Sequence, residues 1–363
     1  HPAATRLDTR EPTMRPMLVP GMRWAWRTPN TLQVGIDVPE PLVVSGLPAF
    51  GRRLIPMLDG TREDSEIVRA MRAAGGECPT DTDVLAIIDR LVDLGIVVDG
   101  GSWPGALAVT PEWRDQMAPD LRCASAIGRF RSRPAARWDA IAASEVVIMG
   151  ASRLGATIAR TLTHAGLGRV TIRDTRGVTP ADVSVGGYAT ADVGLRRSER
   201  LSTAIPENGH PHSGDVDRRL VVVTDAANTD SLCRSLTTTD KPHLVVSCRE
   251  LVGRVGPLVE PGRSPCHFCF ALARRDRDPQ WPAIWRQQQV TSTPDADTVL
   301  VGLTSYVTVA HVLDWLTGGR PPSIGGFIEI AAPYGETASR QFAQHPECGC
   351  AWPDSSASRT MAG

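Results

Sequence analysis

The residues best suited to chemistry lie late in the chain. Cys266-His-Phe-Cys269 and Cys348-Gly-Cys350 are two close cysteine pairs. Thiolates so spaced bind zinc, and four of them complete its tetrahedral shell, leaving no position for water or substrate. The pattern therefore predicts a structural zinc site held by Cys266, Cys269, Cys348 and Cys350. The C-x-C spacing of the second pair leaves room for His267 or His345 in place of one thiolate. The plain alternative is four unrelated buried cysteines. Cys78, Cys123, Cys233 and Cys248 have no paired spacing and read as ordinary core or surface residues.

A second group surrounds a glycine turn. Val146 to Met149 is a short apolar run, suited to a strand buried on both faces. Gly150-Ala-Ser152-Arg-Leu-Gly155 follows, with Ile158, Leu162 and Ala165 at helical spacing, then Val170-Thr-Ile-Arg-Asp174 as a second strand ending in an acid. This is a βαβ unit of nucleotide-binding type, with Asp174 where a ribose-binding carboxylate belongs. The middle glycine of the fingerprint is Ser152. Its Cβ, with Arg153 beside it, crowds the backbone approach to a phosphate.

These groups need elements to hold them. At 363 residues the chain has room for two or three domains. Lysine plus arginine (39) nearly balances aspartate plus glutamate (40), which favours neither nucleic acid nor an anionic membrane. His1-Pro-Ala-Ala-Thr-Arg lacks the apolar core of a signal peptide. Thr298 to Leu316 is apolar, but Thr304, Ser305, Thr308, His311 and Asp314 interrupt it, so it reads as a buried core helix. Eight cysteines do not make a secreted disulfide scaffold. The expectation is a soluble, cytoplasmic α/β protein.

In chain order, residues 1–20 carry four prolines and read as a loose arm. Trp24-Ala-Trp26, the turn Thr28-Pro-Asn30 and the alternating Leu32, Val34 and Ile36 predict a hairpin. Leu42 to Leu47 supplies a third strand, and Pro39 and Pro41 before it favour a sheet edge. Three helices follow: Phe50, Leu54 and Leu58 mark the first, Thr61 to Asp64 opens the second as a capping box, and Thr80 to Asp83 opens the third. Ile96 to Val98 returns as a short strand. Residues 21–99 thus form a winged-helix-like α+β domain. Dimerisation and DNA binding are its bland alternatives, though Asp81, Asp83, Asp89 and Asp93 make the third helix too acidic to read a groove. Residues 100–140 read as a linker. Leu220 to Asp225 and Leu244 to Ser247 then continue a mostly parallel, Rossmann-like sheet over 141–352, with a tail at 353–363.

Trp26-Arg-Thr-Pro-Asn-Thr-Leu-Gln-Val-Gly, Leu47-Pro and Leu58-Asp-Gly-Thr61 resemble the PqqD-like domains that recognise leader peptides of ribosomally made natural products. The resemblance implies that a leader adds as a strand along Leu42, Val43, Val44, Ser45 and Leu47, beside Asp83, Ile87, Arg90 and Leu91. Main-chain hydrogen bonds would supply affinity and side-chain pockets selectivity.

The order Gly150, Asp174, Thr224-Asp225, Gly262-Arg-Ser-Pro-Cys-His-Phe-Cys269 and Cys348 resembles the ThiF-like adenylyltransferases over roughly 140–350. The resemblance assigns Gly150, Ser152 and Gly155 to the glycine loop and Asp174 to the ribose. It puts Arg197 where the family has a phosphate-contacting lysine, and Asp225 beside magnesium and the reacting carboxylate. An Asn-Leu-x-Arg-Gln segment of the family becomes Asp182-Val-Ser-Val185-Gly186, so asparagine is an acid and arginine is valine. Adenylation develops negative charge that fixed cations must stabilise, so the site reads as degenerate and ATP binding is not expected. His345-Pro-Glu-Cys348-Gly-Cys350, joined to the amino-terminal domain, resembles the ThiF-like partner proteins of thiazole/oxazole-modified peptide pathways. That implies a non-catalytic protein which presents a precursor to a YcaO-type cyclodehydratase for azoline or azole formation, with a homodimer through the ThiF-like domain allowed. The competing functions are an active adenylyltransferase on a carrier protein or peptide carboxylate, and an NAD-dependent oxidoreductase. Whether 179–200 takes a fixed conformation is left open.

Overall fold

The computed structural model describes residues 14–38, 40–73, 79–102, 116–120, 122–123, 134–204, 216–225, 227–288, 296–331 and 336–351. Pro39, Cys78, most of the expected linker and the expected tail lie outside these residues. The chain divides into two compact units, His1–Asp139 and Ala140–Gly363.

The first unit is α+β. Strands β2 (Trp24–Thr28), β3 (Thr31–Val34) and β4 (Leu42–Val44) form an antiparallel sheet in that order. Helix α1 (Gly51–Leu54) tightens into a 3-10 turn, and α2 (Asp64–Ala73) and α3 (Asp81–Asp93) follow. Leu32, Val44, Leu47, Leu54, Ile67, Ile88 and Leu91 form one core.

Two expectations need correction here. Residues 16–18, assigned to a loose arm, are strand β1 (Pro16–Leu18), which pairs antiparallel with β5 (Val97–Asp99). Thr61 does not cap α2; its hydroxyl bonds Asp59, while the Glu66 carboxylate accepts from the Glu63 N–H at 3.0 Å. The complete capping box is at α3, where the Thr80 N–H donates to Asp83 and the Asp83 N–H donates to the Thr80 hydroxyl.

The second unit opens with α4 (Pro134–Ala142), which begins before the division, then β6 (Ser144–Met149), α5 (Arg153–His164) and β7 (Arg169–Arg173). Two 3-10 turns within 178–196 lead to α6 (Arg197–Ala204). There follow β8 (Arg218–Val223), α7 (Thr229–Thr238), β9 (His243–Arg249) and β10 (Val252–Val259). Helices α8 (His267–Arg277), α9 (Trp281–Gln288) and α10 (Thr298–Leu316) precede β11 (Gly326–Ala331) and β12 (Glu336–Gln341).

The seven strands lie in the order β12-β11-β10-β9-β8-β6-β7. Pairings among β7, β6, β8 and β9 are parallel, while those of β9 through β12 are antiparallel. The sheet is therefore mixed, not mostly parallel. Long crossovers through α5 and α7 impose the parallel half; the short β9–β10 turn imposes the reversal.

Helix α10 is long and apolar enough to cross a membrane. Its inner face, Leu300, Val301, Val309, Val312 and Leu316, belongs to the core of this unit, as expected of a core helix. Asp297 starts it by accepting from the N–H groups of Val299 and Leu300.

Candidate functional site

The sulfurs of Cys266, Cys269, Cys348 and Cys350 lie within 4.8 Å of one another. Cys266 and Cys348 are 3.4 Å apart, Cys269 and Cys350 3.3 Å, and Cys266 and Cys269 3.8 Å. Four sulfurs about 2.3 Å from a tetrahedral zinc would stand about 3.8 Å from one another. The donor set thus fits one metal ion.

Helix geometry supports the thiolates. Cys266 is the N-cap of α8 and Cys269 lies in its first turn, where the dipole favours negative charge. The Cys269 thiol is drawn down first by its hydrogen bond from Cys266, and the His345 N–H donates to it at 3.3 Å. Cys266 is pushed up, first by that same hydrogen bond and then by burial. The two histidines left open as ligands are engaged elsewhere: His267 Nε2 bonds Asp230 at 2.8 Å, and His345 Nε2 bonds Asp276 at 2.8 Å.

At the glycine loop, Gly150 has φ +95°, and a Cβ there would stand 2.7 Å from the Asp225 nitrogen. A Cβ on Gly155 would stand 2.1 Å from the Gly150 carbonyl oxygen. Both glycines are needed for the close approach of strand, turn and helix. Ser152 is the N-cap of α5 and makes no side-chain cap. Arg153 bends away from the position expected of it: its guanidinium donates to the carbonyls of Ala296 and Val183, both at 3.0 Å.

Asp174 is buried and saturated. Its Oδ1 accepts from the Arg176 N–H at 3.0 Å and from Arg176 Nε at 2.8 Å. Its Oδ2 accepts from the Ala151 N–H at 2.8 Å, Arg176 Nη2 at 2.8 Å and Arg197 Nη1 at 3.0 Å. Burial works to raise its pKa, but the hydrogen bonds from Arg176, Ala151 and Arg197 together hold it well below the usual carboxylate range. Arg197 also donates to Asp182 at 2.7 Å. In this arrangement both oxygens that a ribose would need, and the cation a phosphate would need, already have partners within the chain.

Asp225 sits just past β8, accepting from Ala227 N–H at 3.2 Å and Asn228 Nδ2 at 3.1 Å, with Arg176 at 3.4 Å. It borders a 660 Å³ cleft shared with Arg173, Arg219 and Lys241. Residues 178–200 take a defined path over the loop. Within that path the Tyr188 hydroxyl donates to the Ala151 carbonyl at 2.9 Å, and Val185 is exposed. Arg176 and Tyr188 were not singled out from sequence. Arg176, two residues beyond the ribose-type acid, carried the one available signal.

In the first unit, β4 is an outer strand of its sheet. Val43 is exposed at 43%, whereas Val44 and Leu47 are core residues. Arg90 Nη2 donates to the Ser45 carbonyl at 3.0 Å, joining α3 to the end of the strand. Ile87 is half-buried, but Leu91 is fully buried, so it cannot contact a peptide. The Asp83 carboxylate is engaged in the helix cap. Of the expected contact residues, Leu42, Val43, Ser45, Asp83, Ile87 and Arg90 remain accessible.

No family model and no curated protein matches the chain. Solved structures do. E. coli MccB, crystallised with AMPCPP and MccA, matches at a TM-score of 0.67 and 14% identity over 93% of this chain and 99% of that one. MccB, described as a microcin C7 biosynthetic enzyme, in complex with N-formylated MccA gives 0.63 and 14% over 93% and 99%. Another MccB structure contains ATP. The heterocyclase TruD gives 0.62 and 14%, covering 94% of this chain but 43% of TruD. A match over 93% must include much of both units. The chain therefore has the fold of MccB.

Proposed function

We propose that the protein captures the leader of a ribosomally made precursor peptide through its first unit and presents it to a separate YcaO-type cyclodehydratase. The observation that carries this reading is the outer strand β4, with Val43 exposed and Arg90 of α3 at its end. An unpaired strand edge beside a helix invites an added strand. MccB bound to MccA and the heterocyclase TruD support peptide modification as the setting. The zinc centre is structural in this reading. The saturated Asp174 and the Val185 substitution support a protein that does not itself turn over ATP. The test is fluorescence anisotropy of the full chain with the precursor peptide encoded beside its gene. Binding that survives both deletion of the leader and Arg90→Glu would defeat the proposal.

A second reading has its own support. MccB has been crystallised with ATP, Gly150 and Gly155 keep the close packing of a nucleotide loop, and Asp225 borders a cleft with three cations. Arg176 is 48% exposed, so it can swing off Asp174. An adenylating enzyme would show ATP–pyrophosphate exchange dependent on a peptide or carrier carboxylate.

A further inference from the structure

Beside the cysteine centre, α7, α8 and α9 meet at Asp230, which accepts from Trp285 Nε1 at 2.9 Å and bonds His267 at 2.8 Å. A cavity of 720 Å³ opens there, within the range of about 300–1,000 Å³ typical of ligand sites. Phe268 and Leu272 line it from α8, Trp281 and Trp285 from α9, with Arg234 of α7 and Arg286 of α9. The chain is only 5% aromatic, so three large rings in one cavity are a concentration.

The cations are of two kinds. Arg275 is neutralised by Asp276 at 2.7 Å and Glu347 at 2.9 Å. Arg234 and Arg286 form no direct ion pair among the described residues: Arg234 lies 4.7 Å over the Phe268 ring and feels Asp230, one turn back on α7, only through space, and Arg286 bonds its own helix at the Pro282 carbonyl. Nearby Arg274 stacks on Trp281 at 3.6 Å. Burial first, then repulsion from Arg254 and Arg277, pulls its guanidinium below its usual value. Arg286 is thus left without a counter-charge beside aromatic surface, while Arg234 shares Asp230 with His267 and Trp285. Ile284, three residues after Trp281 and 41% exposed, extends the apolar face of α9 beyond the cavity.

We propose that this cavity docks an acidic peptide segment carrying a bulky apolar side chain, the side chain entering between the rings and its flanking carboxylates meeting Arg234 and Arg286. Tryptophan and arginine are the residues on which such interfaces most depend. The extension through Ile284 suits a peptide better than a small free acid. The site does not depend on leader capture at β4.

The probe is a fluorescein-labelled peptide of alternating aspartate and phenylalanine, titrated by anisotropy with the full-length, zinc-loaded protein. Arg234→Glu/Arg286→Glu should weaken binding at least tenfold, as should phenylalanine-to-alanine and aspartate-to-asparagine peptides. Arg320→Glu, at an exposed residue just past α10 and away from the cavity lining, should leave it unchanged. Zinc content and circular dichroism report folding. If the double variant misfolds, Arg286→Gln, whose side chain bonds only its own helix, should still weaken binding at least threefold. Absence of wild-type binding, binding within twofold in the folded double variant or in Arg286→Gln, or equal binding of the asparagine peptide would overturn the proposal. So would free aspartyl-phenylalanine competing as strongly as the peptide, since that marks a small-molecule site.

Discussion

Arg197 donates to Asp174 at 3.0 Å from a side chain only 8% exposed, and the same guanidinium reaches Asp182 at 2.7 Å. Removing one member of such a network leaves the others buried without their charge partner, at a cost of about 3–5 kcal/mol. Arg197→Ala should destabilise the second unit by about 3 kcal/mol, read by urea unfolding. A loss under about 1 kcal/mol would show that the pairs behave like surface salt bridges.

The same network bears on nucleotide. With Asp174 saturated and Arg197 engaged, calorimetry should detect no tight ATP–magnesium binding, and pyrophosphate exchange should be absent. Robust exchange abolished by Asp225→Ala would make adenylation the better reading.

Purified protein should carry about one zinc per chain, since a tetrahedral four-thiolate set takes a single ion. Cys266→Ser should lose the metal together with thermal stability, because binding and folding are coupled. Full occupancy in Cys266→Ser/Cys348→Ser would show that these sulfurs are not the ligands.

Arg90 and Leu91 are adjacent but differ in role. Arg90→Glu should leave stability within about 0.5 kcal/mol while weakening leader binding, measured on the full chain. Leu91→Ala should cost about 2–5 kcal/mol, because it opens a cavity in a fully buried cluster. Unchanged leader affinity in Arg90→Glu would remove α3 from the contact surface.

His243 is completely buried, its Nδ1 held 2.9 Å from the Lys241 carbonyl, and burial pulls its pKa from 6.5 down to about 4. A folded pKa below the unfolded one means the stabilisation is complete above pH 6.5 and fades as pH falls towards 4. At about 1.4 kcal/mol per unit, roughly 3 kcal/mol is at stake in that window. His243→Phe should flatten the pH dependence of urea stability between those values; an unchanged slope would assign it to other groups.

What could be read from sequence was what is local in sequence. The cysteine pairs are three and two residues apart, the glycine turn spans six residues, and α10 carries its own apolar pattern, so each was recognised. The pairing of Pro16 with Asp99 bridges residues far apart in the chain and leaves no periodic trace. The β10–β11 pairing escaped for the same reason, whereas β9–β10 and β11–β12 pair strands that are neighbours in sequence. Leu91 was misread as peptide-facing because helical spacing marks an apolar face without saying what covers it. Asp174 matched a ribose acid by position; only side-chain geometry reveals that Arg176 and Arg197 occupy its oxygens.

A metal ion held by the four thiols would also act on chain topology. Its thiols join positions 81 and 82 residues apart, so a bound ion closes a ring that contains α10, β11 and β12. Strand β12 is exposed along its whole length and pairs with β11 at the sheet margin. The ring limits how far that margin can peel from β10 before the thiols must part. Chelation should therefore raise amide exchange first in β11 and β12, while β6 and β8, on the other side of β9 and outside the ring, stay protected.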